Sequence, residues 1–325
     1  MSIGRRYLIT LAAAAAASGL GSLGHAQQAF PNKPVKIIVQ TAAGGNSDLL
    51  TRAIADKLTT AWGQQVIVEQ KLGANGLIAT QSLLQAPADG YTVFMSLSSM
   101  VQNLLLQASP GYKLEDLAPV TMVAVFPIAM GSNAAANLNS VEDLLKLARE
   151  KPGALSFGSY GVGSGGHLLG AGLNKAAGTQ MIHVAYKGEA PSLPDLLSGQ
   201  LTVTFGSVGF YTPHVNAGKV KMLAVAAPQR LSRFPTLPTF AEAGFPGINL
   251  PGWAGMFVKA GTPAPIVNKI AQDVRAALAM PDIQARMATF GFEAVGNSPD
   301  EFSQQIKTEL VRWGTVVREN NIKLE

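Results

Sequence analysis

Two short stretches carry the residue types and spacing that could do chemistry. In LSFGSYGVGSGGHL, residues 155–168, an apolar run breaks into a glycine and serine loop and then opens a helix. Gly161, Gly163, Gly165 and Gly166 let a ligand approach the backbone, while Ser159, Ser164 and the amides of the helix's first turn supply donors. AAGGNSD, residues 42–48, repeats that construction at the end of another apolar run. The chemistry this predicts is capture of a small anion by two loops that face each other across a cleft. Neither loop sets a nucleophile beside its base. None of Ser159, Ser164 or Ser207 sits in a GxSxG elbow, and no histidine and acid can be placed against them. Gly161, Gly163 and Gly166 do fit the GxGxxG pattern of dinucleotide sites, with Glu189 farther along, so an exported enzyme with a nucleotide cofactor is the alternative reading. The pattern alone is weak, it occurs in mid-chain, and an exported protein meets little NAD. A structural or scaffolding protein would not need two glycine-rich helix starts.

Composition bounds the rest. The 325 residues are enough for two full cores, and 47% hydrophobic with 14% charged residues is ordinary for a globular protein. Arg5 and Arg6 precede the apolar run Tyr7 to Ala17, and Gly24, His25 and Ala26 form a small-residue site, which predicts a secretory leader cleaved near Ala26 and an exported protein. The arginine pair followed by Tyr7 and Leu8 leaves both the general secretory and the twin-arginine routes open. Removing the two leader arginines takes the net charge from +5 to about +3, spread without a basic run, which argues against nucleic acid. There is no cysteine, hence no disulfide and no thiolate chemistry. His183 on a strand and the remote His214 give no metal-ligand spacing, so neither metal nor cofactor is expected.

The elements that must position the loops follow from periodicity. Strands are predicted at 34–40, 65–70 and 91–96, alternating with helices at about 47–62 and 76–85. Leu49, Leu50, Ala53, Ile54 and Leu58 fall on one face of the first of these helices. Alternation predicts parallel pairing in an open α/β sheet, with ligand at the carboxyl ends of its strands, which makes 43–47 and 96–103 neighbours. A strand around Val120 to Met130 leads to a helix started by Ser140 and Asp143, and a second α/β unit begins there. It holds the central loop, a helix to about Ala177, strands at 181–186, 201–205 and 221–227, and a helix to Leu197. Residues 228–252 read as a long return connection, followed by a strand at 252–260, a helix over 263–279, a short helix after Pro281 and a last helix begun by Ser298, Pro299 and Glu301. Ile306, Leu310, Trp313 and Val317 make that helix's apolar stripe, read as core packing.

With the loops in place, nearly the whole chain resembles the periplasmic solute-binding receptors of tripartite tricarboxylate transporters, the Bug or tricarboxylate-binding family. The resemblance is carried in order by PNKPVKIIV before AAGGNSDLLTR, by APADGYT, FGSYGVGSGGHL, HVAYKGEAPSLPDLLSGQ and PTLPTFAEAG, and by PDEFSQQIKTELVRWGTVVRENNIKL. It implies a two-domain α/β periplasmic binding protein of flytrap type with two crossing hinge strands, residues 27–127 plus 253–325 forming one domain and 128–252 the other. It also implies a monomer that performs no chemistry, closes on a small di- or tricarboxylate or an aromatic carboxylate, and delivers it to a two-component membrane permease. The implied gripping positions are Ala43, Gly44, Gly45, Asn46 and Ser47, then Ser159, Tyr160, Gly163, Ser164 and His167, with lesser contributions from Ser99, Asn103, Lys187, Gly206, Ser207 and the loop from Tyr186 to Glu189.

Three departures from the family pattern bear on the ligand. Gln40, Thr41 and Ala42 stand where a proline and an aromatic are frequent, which alters the entrance. Gly206 stands where many members carry an Asp, which removes an acid that could pair with a ligand amine and argues against amino acids. Tyr160 replaces a small residue and offers a floor for a flat ligand. Other readings separate structure from function. Asp48 at a helix start serves that helix's free amides better than it serves a carboxylate ligand, and Phe210 and Tyr211 read as packing. His167 reads as a ligand contact, and Lys187 as either a pocket cation or a solvated loop residue.

Overall fold

The computed structural model describes residues 30–107 and 109–319. By contacts the chain divides into residues 1–32, of which only Phe30, Pro31 and Asn32 are described, and a body from Lys33 onward. The leader, with Arg5, Arg6, Tyr7 to Ala17 and Ala26, lies outside the described residues, as do 320–325.

Within the body, β1 (Val35–Val39) is buried at four of its five positions, as a strand covered on both faces must be. It pairs in parallel with β2 (Val66–Gln70) and β3 (Thr92–Leu97). The crossovers are α1 (Asn46–Trp62), ended by Gly63 in the left-handed conformation, and α2 (Leu77–Gln85). The apolar stripe of α1 buries Leu50, Ala53, Ile54 and Leu58, whereas Leu49 is exposed; Asp48 and Thr51 take buried places instead. After α3 (Ser99–Leu106), the strand expected over 120–130 is two strands, β4 (Leu117–Phe126) and β5 (Ile128–Asn133), which belong to different sheets. Pro127, lacking an N–H for either ladder, stands at the break.

The second sheet follows with α4 (Val141–Glu150), β6 (Ser156–Ser159), α5 (Gly165–Ala177), β7 (Ile182–Ala185), α6 (Leu193–Leu197), β8 (Val203–Ser207), α7 (Val208–Asn216) and β9 (Val220–Ala226). The chain returns through a largely irregular 227–251 to β10 (Gly252–Lys259), then α8 (Ala264–Leu278), α9 (Pro281–Phe290), β11 (Glu293–Ala294) and α10 (Pro299–Glu319). The first sheet runs β11-β4-β10-β3-β1-β2 and the second β7-β6-β8-β5-β9. Both are mixed where parallel sheets were expected: each has three parallel strands, next to which lies one antiparallel strand entered by a crossing, β10 in the first sheet and β5 in the second. The two sheets thus share one plan, β2-β1-β3-β10-β4 against β7-β6-β8-β5-β9, in a two-lobed α/β fold crossed twice by the chain.

One hydrophobic core joins α10 to the first sheet. Phe302 stands edge-on to Trp253 at 5.5 Å and lies 5.1 Å from Phe257, and Trp313 and Ile306 are fully buried beside them. Gly255 has no side chain because one would strike the Phe302 ring, at 2.3 Å. Deleting that ring leaves a cavity its rigid neighbours cannot fill. Phe302→Ala should cost about 3 to 5 kcal/mol in denaturant unfolding; a loss under about 1 kcal/mol would show that α10 docks by other contacts.

Candidate functional site

The first loop is shaped from within. Buried Asp48 accepts from the Gly44 amide at 3.1 Å, the Arg52 guanidinium at 3.1 Å and the Gln70 side-chain amide Nε2 at 3.0 Å, so both its oxygens are occupied by the protein. Gln40 ties the loop to the next strand end: its Nε2 donates to Ser99 Oγ at 2.7 Å and its Oε1 accepts from Ser96 Oγ at 3.1 Å and the Leu97 amide at 3.3 Å. The expected adjacency of the β1 and β3 ends is therefore present. At the start of α1, Gly45 is the cap residue and offers no side chain. No partner among the described residues takes the amides of Asn46, Ser47 or Asp48, the first-turn donors that a helix leaves open.

The second lobe's helix starts carry side-chain caps by contrast, each taking one first-turn amide. Ser164 Oγ accepts from the His167 amide at 3.3 Å, and Ser207 Oγ accepts from the Phe210 amide at 3.4 Å. Ser164 is wholly buried in that role. His167 turns Nδ1 back to accept from the Gly163 amide at 3.0 Å and stacks on His183, ring centroids 3.9 Å apart. Phe157 covers the pair, and His183 Nε2 meets Ser159 Oγ at 2.8 Å. Burial pushes the His167 pKa down to about 4; burial and then the neighbouring His167 push His183 down to about 3. A serine and a histidine thus do touch, but this imidazole is too poor a base to activate a hydroxyl near neutrality, and no acid orients it.

The lobes meet through small residues. Asn46 Nδ2 donates to Ser207 Oγ at 3.2 Å across the cleft. A Cβ on Gly161 would lie 3.0 Å from Asn75 Oδ1, and one on Gly209 would lie 1.6 Å from the Phe290 carbonyl oxygen. Between the lobes lies a cavity with about 450 Å³ free of atoms out to its mouth, of which about 30 Å³ admits the centre of a water molecule. Gly45, Asn46, Ser47 and Thr41 line it from the first loop, and Tyr160, Gly188, Glu189 and Ala190 from the second lobe. Leu97, Phe126 and Phe292 form the apolar wall, the two phenyl rings stacked at 4.9 Å.

Of the sequence-predicted residues, Gly45, Asn46, Ser47 and Tyr160 come together on this cavity. Ser207 stands one hydrogen bond behind, held by Glu189 and Asn46. Ala43, Gly44 and Lys187 are exposed, while Ser99 supports Gln40 and buried Asn103 holds Asn75. Gly206 packs on the Tyr211 ring, and Gly163, Ser164, Ser159 and His167 form the packed interior of the central loop. Phe126 and Phe292 had no signal of their own; each is an aromatic beside a strand end. Glu189 fell in a loop assigned a lesser part, and its charge was read only within the dinucleotide alternative.

With that geometry in hand, the chain matches the family model described as "Tripartite tricarboxylate transporter family receptor" over residues 50–322. Among solved structures, the periplasmic binding protein BugD is 30% identical with a TM-score of 0.86, covering 91% of this chain and 100% of its own. An R. palustris protein with adipate is 31% identical at a TM-score of 0.85, covering 90% and 99%. MatC from Rhodopseudomonas palustris with bound malate is 27% identical at 0.84, covering 89% and 100%. These are solute-binding receptors, not enzymes, and two hold small carboxylates.

The buried imidazoles set a pH dependence. Their folded pKa values lie below the ordinary 6.5, so the unfolded chain binds protons first as pH falls. Stability is full above about pH 6.5 and declines toward pH 4, by about 2 kcal/mol per histidine at pH 5. His183→Gln should flatten the fall in unfolding free energy between pH 7 and 5; slopes identical to wild type would refute the assignment.

Proposed function

The chain belongs to the tripartite tricarboxylate transporter receptor family, and from that premise we propose that it is a periplasmic receptor that closes two lobes on a small organic carboxylate and delivers it, as a monomer, to a two-component membrane permease. The observation that carries this reading is the open start of α1, whose free amides of Asn46 and Ser47 border the interlobe cavity. A carboxylate placed there gains up to about 2 kcal/mol from the helix dipole in a partly buried setting, and charge-assisted hydrogen bonds add to it. The wall of Leu97, Phe126 and Phe292 suits an aliphatic body, and the narrow interior suits a slim chain better than a ring laid on Tyr160. Adipate and malate in the R. palustris structures are ligands of that shape.

The GxGxxG glycines serve packing. Gly166 gives room to Phe205 and Tyr160, and the Gly163 amide is engaged by His167. We assign 27–127 with 253–325 to one moving lobe and 128–252 to the other, the leader being removed near Ala26. Binding shifts the equilibrium toward the closed form by the ligand's differential affinity for it. Leaderless protein, unfolded and refolded to strip ligand, should be stabilised by at least one aliphatic carboxylate, by about 2.7 kcal/mol at 100 times its dissociation constant. Silence across aliphatic, aromatic and tricarboxylate panels would overturn the receptor reading. A methyl at Gly209 would lie 1.6 Å from the Phe290 carbonyl oxygen, and we read that approach as a contact made on closure, so Gly209→Ala should weaken binding at least about tenfold while the unliganded melting temperature shifts little. Unchanged affinity would remove that contact from closure.

A further inference from the structure

Glu189 is the one charged side chain lining the cavity, and it is negative. Its Oε1 accepts from the Ser207 amide at 2.6 Å and its Oε2 from Ser207 Oγ at 2.9 Å; no lysine, arginine or histidine pairs with it among the described residues. One hydroxyl beside it lacks a partner: Thr41 Oγ1 is buried and unbonded, and Thr41 lines the same cavity. A Cβ on Gly188, next to Glu189, would lie 4.0 Å from Thr41 Cβ. The Tyr160 hydroxyl lies instead at the start of α5, 2.8 Å from where a Cβ on Gly165 would stand.

An anion-seeking helix start and an uncompensated acid therefore border one space. Resting on the receptor reading above, we propose that this cavity selects an amino-carboxylate, its carboxylate at the first turn of α1 and its ammonium held by Glu189 and Thr41. An ammonium brings three donors and no acceptor. Glu189 supplies charge and two acceptor oxygens, and the free Thr41 hydroxyl supplies a third. A second carboxylate in that position would instead meet a like charge in a space with no cation, which requires a proton to be taken up. On this proposal Glu189 offers, from the neighbouring loop, the acid that position 206 lacks.

The state of Glu189 agrees with this assignment. Burial pushes its pKa up to about 7, against the pull of Ser207's amide and hydroxyl, so the empty site leaves it partly protonated. The titratable groups facing it are Tyr160 from the central loop and Tyr211 from α7, both raised above the ordinary tyrosine value first by burial and so neutral. Lys187, two positions earlier, is exposed. An arriving ammonium favours the ionised carboxylate and expels the proton.

The test compares matched ligands by calorimetry on stripped, leaderless protein: 6-aminohexanoate with adipate, 4-aminobutyrate with succinate, and leucine with 4-methylpentanoate. At least one amino acid should bind tenfold or more tightly than its partner, Glu189→Gln should abolish or reverse that preference, and titration at pH 7 in two buffers of different ionisation enthalpy should show proton release. The buffer comparison uses wild-type protein, so it stands even if the variant does not fold. Preference for the diacids with proton uptake would overturn the proposal and leave the receptor reading intact, as would a preference unchanged in Glu189→Gln. Failure of every carboxylate to bind would refute both.

Discussion

A helix cannot satisfy its own first-turn amides, and in this protein that constraint is resolved differently on the two sides of one cleft. On the second lobe, Ser164 and Ser207 cap the starts of α5 and α7, each hydroxyl taking one first-turn amide. On the first lobe, Gly45 leaves the start of α1 open, and Asp48, which could have served it, is turned to Gly44, Arg52 and Gln70. Asn46 and Ser47, which carry those donors, border the cavity between the lobes. The rest of the architecture supplies what an anion needs in order to stay there: an apolar wall, a second lobe and a way to exclude solvent.

The two sheets place these groups by repeating one plan. In each, the loops that reach the cleft leave the ends of the three parallel strands, and an antiparallel strand brought in by a crossing lies beside them. Pro127 divides the outgoing crossing into β4 and β5, and residues 227–251 make the return. The facing surfaces are built from glycines at 161, 165, 188 and 209, so that backbone can approach side chain or backbone across the gap. The stacked histidines at 167 and 183 stiffen the central loop from behind, and so they act on the site through its shape.

Much of this was legible in the chain. Both loops, the helix starts at Asn46 and Gly165, the end of α5 at Ala177 and the long return connection follow from glycine placement and apolar period, because these are local signals. The break at Pro127 was not, since apolar residues run through it and only pairing reveals two sheets. The roles of Ser164 and His167 depended on direction: a serine before a helix caps it or meets a ligand according to where the hydroxyl turns, and spacing does not encode that. Phe126 and Phe292 reach the cavity from positions 166 residues apart, through long-range folding alone. The weight of Glu189 emerged only when its neighbourhood proved to hold no cation.

The central claim is that the uncapped start of α1 holds the ligand's carboxylate. The measurement that tests it most directly is a crystal structure of the leaderless protein with its tightest-binding carboxylate. The account predicts a carboxylate oxygen within about 3 Å of the Asn46 or Ser47 amide nitrogen, between closed lobes. A carboxylate seated elsewhere, with those amides left to solvent, would contradict it.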